Sequence, residues 1–288
     1  MSPAESVPVP GDRSASAAVP GSADESVPLS VDDLVERFCT VVRLPHDPFA
    51  KAFLNRCRSR TIKVGGRFYK YFQSGSGPTV LLVHGLDTNL GSMVSIAEEL
   101  LAQGYRVVLF DVPPHGEALG GTADPAEIRA LLRALYAGLP GLHVVVCHSM
   151  GGLWALTAWE AGVTARAVVS ISSPPATRFL VERFAEMYAL DDDRVRAVAE
   201  GIERRFGATV WEEYSALSAV RNLGVPGLLI HGTADDYVAP AHAADLHANW
   251  RNSTLELVEG AGHFDIVESP EVRKTISAYL RGLEETPS

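Results

Sequence analysis

Cysteine is scarce in this chain of 288 residues: Cys39, Cys57 and Cys147 are too few and too scattered for a disulfide framework, and no C-x-x-C pair gives zinc spacing. A reducing, cytoplasmic setting is the expectation. Long apolar runs are also missing. None approaches the roughly 20 residues that cross a bilayer, so no membrane span is expected. Positive charge is in deficit, with 25 Lys and Arg against 35 Asp and Glu and a formal net charge of -10. Nucleic acid or an anionic membrane as the main partner would need concentrated cations and is set aside. No internal repeat is present, no pair of histidines has convincing metal spacing, and no cofactor is implied.

What is there, 47% hydrophobic and 21% charged sequence, suffices for one large α/β domain with an insertion rather than two full domains. Residues 1–29, rich in Ser, Ala, Pro and Val, lack the basic start and apolar core of a secretory signal and are too acidic for a transit peptide. A disordered tail is expected there, because such a composition buries too little apolar surface to offset chain entropy. Ser30-Val31-Asp32-Asp33 has the form of a capping box, and Leu34, Val35, Phe38, Val41 and Val42 then fall on one helical stripe. Beyond Pro45 and Pro48, Phe49, Phe53 and Cys57 suggest a second short helix. Residues 30–59 therefore read as a helical extension packed on the domain body, with a roof over the active site or a dimer contact as the sharper alternative.

Thr61, Ile62 and Val64, then Phe68, Tyr69, Tyr71 and Phe72, flank Gly65-Gly66 as a hairpin. The run Thr79-Val80-Leu81-Leu82-Val83 ends in His84-Gly85 and has the uninterrupted apolar character of a strand buried on both faces. A helix over Ile96 to Leu101, a strand over Tyr105 to Asp111 and a helix opened by Asp124-Pro125 follow. The apolar run from His143 then drives into Ser149, with Gly151 and Gly152 beyond and a helical pattern from Leu153 to Ala161. Strand, tight turn and helix in that order place the serine at the tip with its hydroxyl exposed. Strands alternating with helices imply a mostly parallel sheet covered on both faces, with ligands at the carboxyl ends of the strands, where Gly85 and Ser149 fall.

After a strand over Ala165 to Ser172, which ends in Ser173-Pro174-Pro175 without a carboxylate, the rhythm breaks. Residues 176–222 hold the patterns of three helices, one of them started by Asp191-Asp192-Asp193. They read as a helical cap inserted over the strand ends, with Phe179, Trp211 and Tyr214 as candidate contacts for an apolar substrate group. The sheet resumes at Gly227 to Gly232, followed by Thr233-Ala234-Asp235-Asp236-Tyr237-Val238. The last strand, Thr254 to Val258, leads to Glu259-Gly260-Ala261-Gly262-His263-Phe264, a glycine-rich loop free to carry His263 across the strand ends. His46, His143, His242 and His247 read as surface or helix residues.

Cys147-His148-Ser149-Met150-Gly151 resembles the G-x-S-x-G elbow of the α/β-hydrolase fold, with Cys147 where the first glycine usually stands. His84-Gly85, the Asp111-Val112-Pro113-Pro114-His115-Gly116 turn with Pro114 in a glycine position, and the Asp235 turn are similar to further landmarks of that family. They occur in the family's order between Arg60 and Leu283. The resemblance implies an α/β-hydrolase core over residues 60–175 and 223–284. It implies Ser149 as nucleophile, His263 as general base and Asp235 as the acid of the triad, with Asp236 as competitor. The backbone N–H groups of Leu86 and Met150 would form the oxyanion hole, while His84, Asp111 and His115 would hold loops. The implied activity is hydrolysis of a carboxylic ester of a small-molecule acyl substrate through an acyl-enzyme. Thioester hydrolysis and acyl transfer use the same groups, and a non-catalytic small-molecule receptor is the alternative of another class. Serine rather than aspartate at the elbow argues against the haloalkane dehalogenase and epoxide hydrolase branches. Oligomeric state is not specified by the sequence.

Overall fold

The protein is described here by a computed structural model covering residues 29–160 and 162–285; apart from Leu29, the expected disordered tail lies outside the described residues. Ser30 opens α1 (Val31–Cys39) with the anticipated box: the Asp33 N–H donates to Ser30 Oγ and the Ser30 N–H to Asp33 Oδ2, both at 3.1 Å. The helix stops at Cys39, so Val41 and Val42 do not continue its stripe; they begin an extended strap over residues 40–47. Pro48 occupies the first turn of α2 (Pro48–Leu54), where its missing N–H costs nothing, and Cys57 lies past the helix end.

β1 (Arg58–Val64) and β2 (Arg67–Ser74) form the expected antiparallel hairpin, turning at Gly65 and Gly66 with φ of 54° and 83°. β3 (Thr79–Val83), α3 (Val94–Ala102), β4 (Arg106–Leu109), α4 (Pro125–Gly138), β5 (Leu142–His148), α5 (Met150–Thr157) and β6 (Ala167–Ile171) then alternate. α5 ends earlier than its pattern suggests, at Thr157, whose hydroxyl donates to the Leu153 carbonyl at 2.7 Å.

Residues 176–222 form α6 (Thr177–Met187), α7 (Asp192–Phe206), α8 (Val210–Glu213) and α9 (Ala216–Arg221), not three helices. The third pattern splits because Ser215 caps a new helix, accepting from the Ser218 N–H at 3.2 Å, and pairs by backbone with Ala176. β7 (Gly227–Gly232), α10 (Pro240–Asn249), β8 (Ser253–Val258) and α11 (Pro270–Glu285) complete the chain.

The eight strands form one sheet in the order β1-β2-β4-β3-β5-β6-β7-β8, with antiparallel pairing only for β1 with β2 and β2 with β4. Alternate side chains of a buried strand serve opposite faces. Val80 and Leu82 join Ile96 of α3 and Ile276 of α11, whereas Leu81 and Val83 join Leu132 of α4 and Leu153 of α5. This is the doubly covered, mostly parallel α/β sheet that the alternation implied. The parallel strands end along one rim, and the loops after β3, β5, β7 and β8 meet there.

Candidate active site

Ser149 sits between β5 and α5 with φ 53° and ψ -129°, a conformation that a residue with a β-carbon adopts only at a cost of about 1–3 kcal/mol. The Ser149 N–H donates to the Ile171 carbonyl at the end of β6, 2.8 Å away, which fixes the turn against the sheet. The loop after β3 passes so close that a β-carbon at Gly85 would lie 2.8 Å from Ser149 Cβ. Only glycine fits there. Met150 is the first residue of α5, where a backbone N–H has no acceptor within its own helix. Cys147, in place of the elbow glycine, is accommodated because its thiol turns away and donates to the Val169 carbonyl; burial pushes that thiol up to about 12.

A continuous line of hydrogen bonds runs from the serine. His263 Nε2 is 2.9 Å from Ser149 Oγ, and His263 Nδ1 is 2.8 Å from Asp235 Oδ2. Asp235 Oδ1 accepts the N–H groups of Tyr237 and Val238 at 3.0 and 2.8 Å. Burial alone would raise the Asp235 carboxyl. Hydrogen bonds from His231 and His263, with the Val238 N–H, outweigh it and hold the group far below the usual carboxylate range. An ionised carboxylate only accepts, so His263 carries its proton on Nδ1 and leaves Nε2 to accept from the serine hydroxyl. Asp236 is exposed, and its carbonyl lies 3.5 Å from Arg183 Nη2.

Three neighbours of this line have no counterpart in the sequence expectations. His148 donates from Nε2 to the His263 carbonyl at 2.8 Å, tying the histidine loop to β5. His231, at the end of β7, donates from Nε2 to the Val238 carbonyl at 2.7 Å and lies 3.3 Å from Asp235 Oδ2, so it braces the acid turn. Tyr237 lies over the His263 ring with centroids 5.4 Å apart and is 38% exposed, so one face of the imidazole is covered by a side chain that ligands can reach. Polar residues ending buried runs, and an aromatic next to the acid, were the available signals.

Two histidine expectations need correction. His46 is buried in the strap against Asp111, 2.8 Å away, and His143 is buried within β5; neither is a surface or helix residue. The strap crosses the carboxylate of Asp111, and β5 is covered on both faces, so both rings are enclosed.

The loop after β3 is held by side chains expected to serve structure. His84 Nδ1 donates to the Gly85 carbonyl at 2.8 Å, its Nε2 accepts the Val112 N–H at 2.8 Å, and Thr88 Oγ1 donates to the same Gly85 carbonyl at 2.9 Å. That carbonyl shares a peptide plane with the Leu86 N–H, which points the opposite way. Whatever fixes the Gly85 oxygen therefore also aims the Leu86 N–H. Asp111 takes the Leu90 and Glu117 N–H groups at 3.0 and 2.9 Å, and His115 Nδ1 donates to the Val112 carbonyl at 2.7 Å.

Residues 80–273, which include every one of these groups except His46, match the model of the alpha/beta hydrolase family. The chain belongs to the alpha/beta hydrolase family. The Bacillus subtilis (strain 168) protein YqkD is 24% identical over 224 residues, covering 72% of each chain. A pimeloyl-[acyl-carrier protein] methyl ester esterase from Nitrosospira multiformis is 23% identical over 255 residues, covering 72% of this chain and 95% of its own. Among solved structures, the Pyrococcus furiosus esterase Pf2001 superposes with a TM-score of 0.65 at 20% identity over 84% of this chain and 98% of its own.

The three aromatic residues read from the helices of residues 176–222 have different surroundings. Tyr214 is buried beneath Arg129, whose guanidinium lies 4.8 Å from its ring centre. Trp211 is stacked by Arg178 at 4.8 Å and donates to Glu203. Phe179 meets the His242 ring edge-on at 4.8 Å, one helical turn before Arg183, which reaches the acid loop. Among the described residues no group of three or more His, Cys, Asp or Glu is arranged to hold a metal, and no helix is long and apolar enough to cross a membrane.

Burial of histidines around the site sets a pH limit on the fold. Burial holds His84 below its ordinary value, and burial with the adjacent His84 and His263 rings pushes His115 and His148 each down to about 3. The folded state keeps them neutral, whereas the unfolded chain protonates each below roughly pH 6.5. Stability is therefore full above that pH and falls as pH drops, His115 and His148 each costing about 1.4 kcal/mol per pH unit toward pH 3 and His84 acting in the same direction. His46 works in the opposite sense: its bond to Asp111 raises it, adding stability that fades as pH rises through the raised value. His143 is also held down by burial, and four against one leaves a net acid loss. Urea midpoints are expected to drop steeply below pH 6; a flat profile from pH 7 down to pH 5 would contradict neutral buried rings.

Proposed function

We propose that this hydrolase cleaves a carboxylic ester carrying an apolar group, through an acyl-enzyme on Ser149. The observation that carries the reading is the unbroken hydrogen-bond line from Ser149 Oγ through His263 to Asp235, with contacts of 2.9 and 2.8 Å. In the first half-reaction Ser149 Oγ attacks the ester carbonyl while His263 Nε2 takes the hydroxyl proton. Asp235 keeps the imidazole in the Nδ1–H tautomer and stabilises the imidazolium. The N–H groups of Leu86 and Met150 receive the oxyanion, each donor contributing about 2.7–4 kcal/mol of transition-state stabilisation. As the tetrahedral intermediate collapses, the C–O bond to the alcohol breaks and His263 returns the proton to the leaving oxygen. Water then attacks the acyl-enzyme, His263 takes its proton, and the carboxylic acid leaves with Ser149 restored.

An ester is preferred to a thioester because the Nitrosospira multiformis relative is a methyl ester esterase. Residues 176–222 are read as the cap over the strand ends, and of its aromatics Phe179 is the proposed contact for the apolar group, since Trp211 and Tyr214 are engaged by arginines. A fluorophosphonate probe is expected to label wild-type protein at Ser149, read by mass spectrometry of the adduct. Unlabelled, folded protein would favour a non-catalytic small-molecule receptor. On a panel of p-nitrophenyl esters, Phe179→Ala is expected to raise KM about three- to tenfold for longer acyl chains and little for acetate, the scale of one lost apolar contact. Equal effects on all chain lengths would remove Phe179 from the acyl site.

A further inference from the structure

We propose that the strap over residues 40–47 is part of the acyl-transfer machinery, with Asp87 as the positioning residue through which it sets the Leu86 N–H. The inference rests on the serine-hydrolase reading above and adds to it a segment lying outside residues 80–273, the span that matches the family model.

Besides the bonds of Arg43 to the Gly116 and Ala118 carbonyls, the strap bonds to the loop that carries Leu86 and to the carboxylate beside it. The Val42 N–H donates to Asp87 Oδ1 at 2.7 Å across 45 positions of sequence. Asn89 Nδ2 donates to the Leu44 carbonyl at 3.0 Å. His46 holds Asp111 Oδ2 at 2.8 Å while Asp111 Oδ1 takes the Leu90 N–H at 3.0 Å. Residues 87, 89 and 90 are thus each fixed from the strap side.

Asp87 is the sensitive point. Its φ of 52° is a left-handed conformation that non-glycine residues occupy rarely, and Asp and Asn more readily than others. The turn at Asp87 presents Thr88, whose hydroxyl donates to the Gly85 carbonyl at 2.9 Å, and the Gly85 carbonyl fixes the plane containing the Leu86 N–H. Glycine at 85 is required by the approach of Ser149 but is the residue least able to hold its own backbone angles. The orientation has to come from outside: His84 and Thr88 hold the Gly85 oxygen, and the Val42–Asp87 bond holds the turn that presents Thr88. An N–H turned away from the oxyanion weakens transition-state binding without weakening substrate binding, so the loss falls on kcat.

The test is made on the full chain with a p-nitrophenyl ester, measuring kcat, KM, the rate of fluorophosphonate labelling and the melting temperature. Asp87→Gly keeps the left-handed angle accessible and removes only the carboxylate. Val42→Pro removes the donor from the other side and leaves the loop sequence intact. Each is expected to lower kcat and the labelling rate by about tenfold or more, with KM within about twofold. Asp87→Asn, whose Oδ1 still accepts from Val42, is expected to restore kcat to within about threefold of wild type. Wild-type kcat in either folded variant, or Asp87→Asn as impaired as Asp87→Gly, would overturn the inference and leave the proposed function standing. Failure of wild-type protein to label at Ser149 would overturn both.

Discussion

Ser149→Ala is expected to lower ester turnover by about five to six orders of magnitude and to abolish fluorophosphonate labelling. Without Oγ, His263 has no hydroxyl to deprotonate at 2.9 Å, and what remains is water attacking a carbonyl polarised by backbone N–H groups. The fold should survive. Alanine keeps the β-carbon that makes φ 53° costly, so the strain of the turn is unchanged, and the Ser149 N–H still reaches the Ile171 carbonyl. Ser149→Gly separates the two roles of the position. It should be as inactive as Ser149→Ala but more stable by about 1 kcal/mol, because glycine occupies positive φ without the steric penalty. Paired rate and melting measurements check both statements. A Ser149→Ala protein retaining a hundredth of the wild-type rate would remove Ser149 from the chemistry.

That strain bears on why the elbow could be read from the sequence at all. A serine held at φ 53° against a glycine that admits no β-carbon leaves few residue types open, and so the local pattern of apolar run, serine and glycines is restrictive. β3 and β5 were legible for a different reason: a strand buried on both faces must be mainly apolar, and the runs Val80–Val83 and Val144–Cys147 are. The strap was not legible, because its ties to Asp87 and Asn89 run through backbone N–H and carbonyl groups that every residue carries. His148 and His231 escaped for a related reason. A polar side chain at the end of a buried run is a structural commonplace until the loop it meets is known. The split between α8 and α9 turns on one capping hydroxyl, at Ser215, inside a pattern that otherwise continues. α11 differs again: Val272, Ile276, Leu280 and Leu283 repeat at helical spacing, so its pattern is present in the sequence although it is not among the expected elements.

Asp235→Asn is expected to lower kcat by up to about four orders of magnitude, and Asp236→Asn to change it by no more than about twofold. The two aspartates are adjacent in sequence and opposite in surroundings. Asp236 is exposed, and its neutralisation leaves the hydrogen bonds of the site untouched. Asp235 is buried and uses both oxygens: Oδ1 receives the Tyr237 and Val238 N–H groups, and Oδ2 receives His263. Asparagine keeps one oxygen, and the two backbone donors, which cannot rotate away, claim it. Its NH2 group then faces His263 Nδ1, which must become an acceptor. The imidazole proton moves to Nε2, the atom 2.9 Å from Ser149 Oγ, and a protonated Nε2 cannot take the serine proton. The loss is therefore one of tautomer rather than of shape, and the melting temperature should fall far less than the rate. His231 sharpens the expectation, because its Nε2, 3.3 Å from Oδ2, would be left facing a second donor and would favour the same unproductive arrangement. Histidine NMR distinguishes the cases directly: the Nδ1–H resonance of His263 present in wild type should be replaced by Nε2–H in Asp235→Asn. A full-rate Asp235→Asn alongside a disabled Asp236→Asn would place the acid one residue further on.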